Sequence, residues 1–129
     1  MATGIELIAA ERKRQVEIEG YSAQHDSQHK ATELIYAALA YTEAARVGVA
    51  NSESNLDYSP ELVMMYKSDK GRNYPFGWDF KPSTDIRDLT KAGALIAAAI
   101  DRLQMGEETN GVLEKYENRF GDTIYNTDD

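Results

Sequence analysis

The sequence predicts an all-α domain: a small bundle of three main helices, with a short insert helix, a C-terminal helix, and an aromatic loop before the third long helix. Three observations carry that expectation. Apolar residues recur at steps of three and four through three long stretches. Each stretch opens on a capping residue or a polar turn and closes on glycine. The one run with strand-like alternation, Tyr74 to Phe80, is interrupted by Pro75 and Gly77, which argue for an extended loop.

The first helix is expected over about residues 4 to 19. Thr3 with Glu6 three residues on reads as a capping box, and Gly20 stands where a left-handed C-terminal glycine belongs. Ile5, Ile8, Val16 and Ile18, with Ala9, form its apolar stripe. Arg12, Lys13 and Arg14 form a basic band whose plainest reading is a solvated face paired with Glu17 and Glu19. After a polar turn, Tyr21 to Gln28, the second helix is expected from about His29 to Val47, closed by Gly48. Leu34, Ile35, Ala38, Leu39, Ala45 and Val47 are its apolar face, and Ala37 and Ala40 allow a neighbour to approach closely. Ser59-Pro60-Glu61 is a helix start with proline at the first helical position, which predicts a short helix from Pro60 to Ser68.

The third long helix is the clearest element. Ser83 or Thr84 caps it, Asp85 and Asp88 lie in its positive first turn, and Gly106 ends it. Ile86, Leu89, Gly93, Ile96, Ile100 and Leu103 recur as an a/d seam, with Gly93 placed to let another backbone come near. A last helix is expected over about Val112 to Phe120, followed by an acidic tail, Asp122 to Asp129. One domain over residues 1–129 accommodates all of this, since a chain of 129 residues has room for one modest core.

Composition removes several function classes. The chain has no cysteine, which excludes a disulfide framework, thiolate zinc and a cysteine nucleophile. No apolar run approaches the roughly 18 to 20 residues of a membrane span, and Met1-Ala2-Thr3-Gly4-Ile5-Glu6 has no signal-peptide pattern, so a cytoplasmic protein without a membrane partner is expected. The net charge of −8 speaks against long nucleic acids. From Gly106 onward seven acids face two bases, so five of the eight net negative charges belong to the last 24 residues. A small anion in a locally basic pocket is compatible with the remainder.

Two constellations concentrate polar chemistry. In Gln24-His25-Asp26-Ser27-Gln28-His29 followed by Glu33, the spacing of His25, His29 and Glu33 would align two imidazoles and a carboxylate on one continuous helix, a set able to hold zinc or another divalent ion. Asp26 and Ser27 are also good N-caps, and a helix starting there would break that alignment. The same residues could instead read a base or a phosphate. The second constellation is Trp78-Asp79-Phe80-Lys81-Pro82 running into Arg87, Asp88 and Lys91. It offers a ring face for stacking a base and positive charge beside a helix N-terminus, or else simply a roof of aromatics over the core. A third set, Glu33, Asp88 and Asp101, would bind Mg²⁺ if the helices brought it together. The all-α NTP pyrophosphatases of the MazG-like group use acids from neighbouring helices in this way. Their ExxE and ExxD repeats are not intact here, so no catalytic residue is assigned and the metal set stays open. No P-loop, nucleophile elbow or dinucleotide fingerprint is present.

As a set, several segments resemble a widespread group of small phage and prophage proteins. They are Glu11-Arg12-Lys13-Arg14-Gln15, Glu19-Gly20-Tyr21, His25 to His29, Thr32-Glu33-Leu34, Trp78 with Lys81-Pro82, and Arg87 to Ile96 running on to Leu103. The group's usual form reads ERxRQ, EGW, HDDxH, GEL, WKP and RDLVKAGALI; here Tyr21 replaces Trp, Ser27 the second Asp, and Thr32 Gly. The resemblance divides the chain into a family-like core, about 5–47 and 74–105, an insert, 48–73, and an acidic extension, 106–129. It implies phage origin more than an activity. With the polar set His25, Asp26, His29, Glu33, Trp78, Lys81, Arg87, Asp88 and Lys91, joined by Arg12 or Arg14, the expectation is a non-catalytic homo-oligomer. It would sequester a small nucleotide signal of bacterial antiviral defence, a cyclic nucleotide or an ADP-ribose derivative, and need no cofactor. The alternatives are a metal-dependent nucleotide phosphohydrolase, which would need a divalent ion, and a scaffold protein without a ligand.

Overall fold

The computed structural model describes residues 1–18 and 30–105, and the described chain is all-helical. Helix α1 spans Gly4–Glu17, α2 Ala31–Glu53, α3 Pro60–Lys67 and α4 Asp85–Met105. The predicted stop at Gly20, the histidine segment 25–29 and the helix expected over 112–120 lie outside the described residues. Helices α1 and α2 both pack on α4, and α3 packs on α2. No helix among the described residues is long and apolar enough to cross a membrane.

The local signals act as read at most helix starts. Thr3 Oγ1 accepts from the Glu6 backbone N–H while Glu6 returns a carboxylate to the Thr3 N–H, satisfying two otherwise unpaired donors. Ser59 Oγ accepts from the Leu62 N–H, with Pro60 at the first helical position of α3. Of the two candidates before α4, Thr84 caps, its Oγ1 accepting from the Arg87 N–H at 3.3 Å. Helix α2 starts at Ala31 with Lys30 as its N-cap, where Glu33 accepts from the Lys30 N–H; the predicted caps Asp26 and Ser27 lie outside the described residues.

Gly48 does not end α2. The helix runs on to Glu53 and closes on Asn55, whose φ of 50° lets the Leu56 N–H reach back to the Asn51 carbonyl at 3.1 Å. Glycine at position 48 serves a neighbour instead: a Cβ there would fall on the carboxylate of Asp85 at the start of α4. Residues 48–53 therefore continue the second helix.

The core is thin and built of small residues. From α2 it takes Leu34, Ala37, Ala38, Ala40 and Tyr41, and from α4 Ala92, Leu95, Ala98 and Ala99. Ala37 and Ala40 lie at the contact, as their size predicts. The loop before α4 supplies the bulk that the alanines lack. Tyr74 is buried, the Phe80 ring lies tilted against Tyr41 at 4.8 Å and edge-on to Tyr74 at 5.2 Å between centres, and Trp78 packs partly buried against the same cluster. No strand forms there. Gly77, at a φ of 84°, turns the chain so that Phe76 points fully into solvent.

On three helices, residues of the predicted apolar face are exposed. On α4 the seam residues Ile86, Leu89, Ile96 and Ile100 are each about half exposed or more, while Asp88, Thr90, Ala92, Ala94, Leu95, Ala98 and Ala99 are buried. Gly93 does admit a close neighbour, but it is Ile8 of α1, whose Cδ1 lies 2.5 Å from where a Cβ would stand. On α1 the inversion is stronger: Ile5 and Ile18 are exposed, and the buried residues are Glu11 and Gln15. In α2, likewise, Ile35 and Leu39 face solvent.

Gly48→Ala is expected to lower stability by about 1–2 kcal/mol, although alanine alone would favour a helix by roughly 1 kcal/mol, because the new methyl displaces an Asp85 carboxylate pinned by Lys67. Thermal unfolding followed by circular dichroism checks this. Gly4→Ala, whose Cβ meets nothing within 4 Å, is the control and should leave the midpoint unchanged or slightly raised.

Candidate anion site

Where α1 crosses α4, one buried carboxylate organises several cations. Glu11 is 3% exposed. Arg14, one turn on, grips it with both edges of its guanidinium, Nε to Oε1 at 2.9 Å and Nη2 to Oε2 at 2.8 Å. Arg87 of α4 donates from Nη1 to Oε1 at 2.6 Å. Burial by itself would push the Glu11 carboxyl up. The hydrogen bonds and charges of Arg14 and Arg87 outweigh that and bring it from the ordinary value of 4.5 to about 2. Gln15 adds a long contact from Nε2 to Glu11 Oε2 at 3.4 Å, and its buried Oε1 has no hydrogen-bond partner among the described residues.

Lys91 extends the cluster one turn along α4 from Arg87. Its Nζ donates to the Lys81 carbonyl at 2.9 Å and lies 5.2 Å from the centre of the Tyr41 ring. The Lys81 N–H donates in turn to the Tyr41 hydroxyl at 3.0 Å, so the end of the aromatic loop is tied to both long helices. Desolvation and, after it, the charge of Arg87 lower the Lys91 pKa. The Lys81 ammonium points away, exposed beside Asp79 at 3.8 Å. Arg12 pairs with Asp101 at 3.2 Å on the flank of the α1–α4 contact.

Of the residues singled out in the sequence, Arg87, Lys91 and the Lys81 backbone therefore meet, and Arg14 joins them. Trp78 belongs at least partly to the core. Asp88 is fully buried and is a structural partner: its Oδ2 pairs with Lys67 Nζ at 2.9 Å and its Oδ1 accepts from the Ser83 N–H at 2.8 Å. Lys67, itself buried, also holds Asp85 at 2.5 Å, and the two carboxylates raise its pKa against the opposing effect of burial. Glu33 caps α2. His25, Asp26 and His29 lie outside the described residues, ahead of the helix that carries Glu33.

The carboxylate set proposed for Mg²⁺ does not converge. Asp88 and Asp101 stand about 20 Å apart along α4 at ~1.5 Å per residue, each engaged by a different cation. Among the described residues no group of three histidine, aspartate or glutamate side chains is placed to hold a metal. Glu11 and Gln15 enter the sequence reading only through the ERxRQ resemblance, in a run whose basic band, Arg12 to Arg14, reads most plainly as a solvated face. Part of that run is one, since Lys13 meets Glu17 at 4.0 Å with both exposed.

Family models, curated proteins and solved structures offer no match to this chain.

Two outcomes follow from these clusters. The low Glu11 pKa makes the folded chain bind fewer protons than the unfolded one between about pH 2 and 4.5. Its contribution is then complete above the unfolded value and lost as pH falls toward about 2, up to about 3 kcal/mol. Glu11→Gln should be destabilised at pH 7 and show a shallower acid dependence in urea titrations, the two proteins converging near pH 2. Lys67→Met should cost about 3–5 kcal/mol by leaving a buried carboxylate uncompensated. Adding Asp88→Asn should recover part of that loss in a double-mutant cycle.

Proposed function

We propose that this chain is a phage-encoded, non-catalytic binding protein that holds a small nucleotide signal of bacterial antiviral defence. The observation that carries the binding half of the reading is the pair of cations Arg87 and Lys91, one turn apart on α4 at the α1–α4 crossing, in a chain of net charge −8. Collecting like charges on one partly desolvated face costs free energy, and a phosphate offsets that cost through charge-assisted hydrogen bonds. The half-buried Trp78 and the fully exposed Phe76 supply ring faces from the neighbouring loop. The phage and defence half rests on the motif resemblance across residues 5–41 and 76–103. Self-association belongs to the same proposal and draws on the stripe Ile86, Leu89, Ile96 and Ile100 that α4 leaves exposed.

A nucleotide panel, incubated with the protein with and without Mg²⁺ or Mn²⁺ and then heated, tests the proposal. Recovery of intact ligand from the denatured protein is the expected result, and converted product overturns the non-catalytic reading. Arg87→Ala should weaken binding roughly 10- to 100-fold, the worth of a lost hydrogen bond to a charged group. Fluorescence of Trp78, the chain's only tryptophan, provides the titration signal, and circular dichroism reports whether the fold survives.

A further inference from the structure

Helices α2 and α4 run antiparallel: the Lys91 ammonium lies over the Tyr41 ring, and Gly48 near the end of α2 sits against Asp85 at the start of α4. They meet through Leu34, Ala38 and Tyr41 on one side and Ala92, Leu95 and Ala99 on the other. At about 100° per residue, Ile35 and Leu39 stand roughly a quarter of a turn or a little more from that contact on α2. Leu89, Ile96 and Ile100 stand roughly a quarter of a turn from it on α4, in the same rotational sense. Equal rotations on antiparallel helices point to one side of the pair, so these residues and Ile86 share one face of the α2–α4 layer, and all six are exposed. In the middle of the α4 row Gly93 carries no side chain, and Ile8 of α1 packs over it. Arg87 and Lys91 lie about half a turn away, on the opposite side of α4.

We infer that this face seats a second copy of the chain on a twofold axis, the two α4 helices antiparallel, so that two α2–α4 layers close into a four-helix bundle. This deepens the proposed self-association and rests on it. The steps of three and four along α4 ask for a helix as the partner. A row of that kind reads alike in both directions, so an antiparallel copy sets Ile86 opposite Leu103 of the second copy, Leu89 opposite its Ile100 and Ile96 opposite its Gly93. Chains of net charge −8 repel one another, and none of the six residues adds a charge where the copies meet. Their exposed surface is on the order of 600 Å² per copy, near the roughly 800 Å² per partner of a standard interface, which the polar rims of both helices complete. An isologous contact closes at two and leaves nothing to grow from. It also turns Arg87 and Lys91 outward on both copies, so each dimer carries two anion sites, each complete within one chain.

Analytical ultracentrifugation of the full chain tests this, with an expected mass of twice the 14.4 kDa of one copy at micromolar concentration. Ile96→Glu brings two like charges into one apolar interface and should weaken the dimer at least about 100-fold. Its circular dichroism should be unchanged, because the side chain already reaches solvent within one copy; Ile100→Lys serves if that variant does not fold. Met65→Glu, on an exposed residue of α3, and Lys91→Gln should both leave the dimer as tight as wild type. The chain has no cysteine, so introduced thiols report orientation. A mixture of Ile86→Cys and Leu103→Cys should give the mixed disulfide under mild oxidation, while neither alone cross-links, like positions being about 25 Å apart along antiparallel helices. A monomer overturns the pairing and the self-association together, leaves nucleotide binding standing, and gives the face to another occupant, residues 106–129 or a different protein. A dimer indifferent to both Ile96→Glu and Ile100→Lys overturns this face alone. Cross-linking within either cysteine variant alone, or a dimer lost in Lys91→Gln, overturns the geometry.

Discussion

Everything else in this structure answers to the contact between α2 and α4, which is made largely of alanine. Ala37, Ala38 and Ala40 face Ala92, Ala98 and Ala99, and only Leu34, Leu95 and Tyr41 add larger side chains from the two helices. Small residues bring the helix axes close, toward the short end of the roughly 8–10 Å range for packed helices. They also bury little apolar area each, and hydrophobic stabilisation scales with that area. A pair of helices held this way needs help from outside the pair. The aromatic loop gives it by capping the seam with Tyr74, Trp78 and Phe80 and tying Lys81 to Tyr41.

The rest of the help is electrostatic and sits at buried clusters whose members come from different elements. Lys67 of α3 reaches into the first turn of α4 and meets Asp85 and Asp88, and Gly48 of α2 clears the space for it. Glu11 of α1 meets Arg87 of α4. Such pairs are weak sources of net stability, because desolvation cancels much of the attraction, but removing one partner leaves a charge with nothing to answer it. They therefore act chiefly as specifiers. They determine which face of α1 meets α4 and where α3 rests, in a domain whose alanine surfaces would tolerate several registers.

That division explains what was legible in the sequence. Helix starts are local chemistry, and Thr3, Ser59-Pro60 and Thr84 could be read because the cap and the groups it satisfies lie within a few residues. The class of the fold followed from periodicity and from proline and glycine inside the only strand-like run. Gly48 was misread because a lone glycine near the end of an apolar pattern has the same signature whether it terminates a helix or makes room for a distant carboxylate. The α4 seam shows the limit of periodicity in another way: spacing identifies residues that share a face but does not say what covers it, and within this chain it is the alanine face of α4 that is buried. Arg12, Lys13 and Arg14 read most plainly as a basic band on a solvated face, and Glu11 and Gln15 entered only through the ERxRQ resemblance. The only cue to the contrary was a carboxylate three residues ahead of an arginine, a pairing that exposed helices also show. Arg87 and Lys91 were recognisable as candidates, while the residue that arranges Arg87 was not.

Because Glu11 serves both the attachment of α1 and the placing of Arg87, the fold and the candidate site draw on the same free energy. The α1 helix contributes few buried apolar residues of its own, so its hold on α4 depends on the Ile8–Gly93 contact and on the charges at Glu11 and Arg12. An anion that engages Arg87 while leaving its bond to Glu11 intact adds a third partner to that junction and favours the docked arrangement. By linkage, such a ligand stabilises the folded chain by RT ln(1 + [L]/Kd). An anion that instead displaces Glu11 leaves a buried carboxylate gripped only by Arg14 and works against the helix that helps to present the site. Arg87 commits a single nitrogen to Glu11, an engagement that leaves room for the first of these two cases.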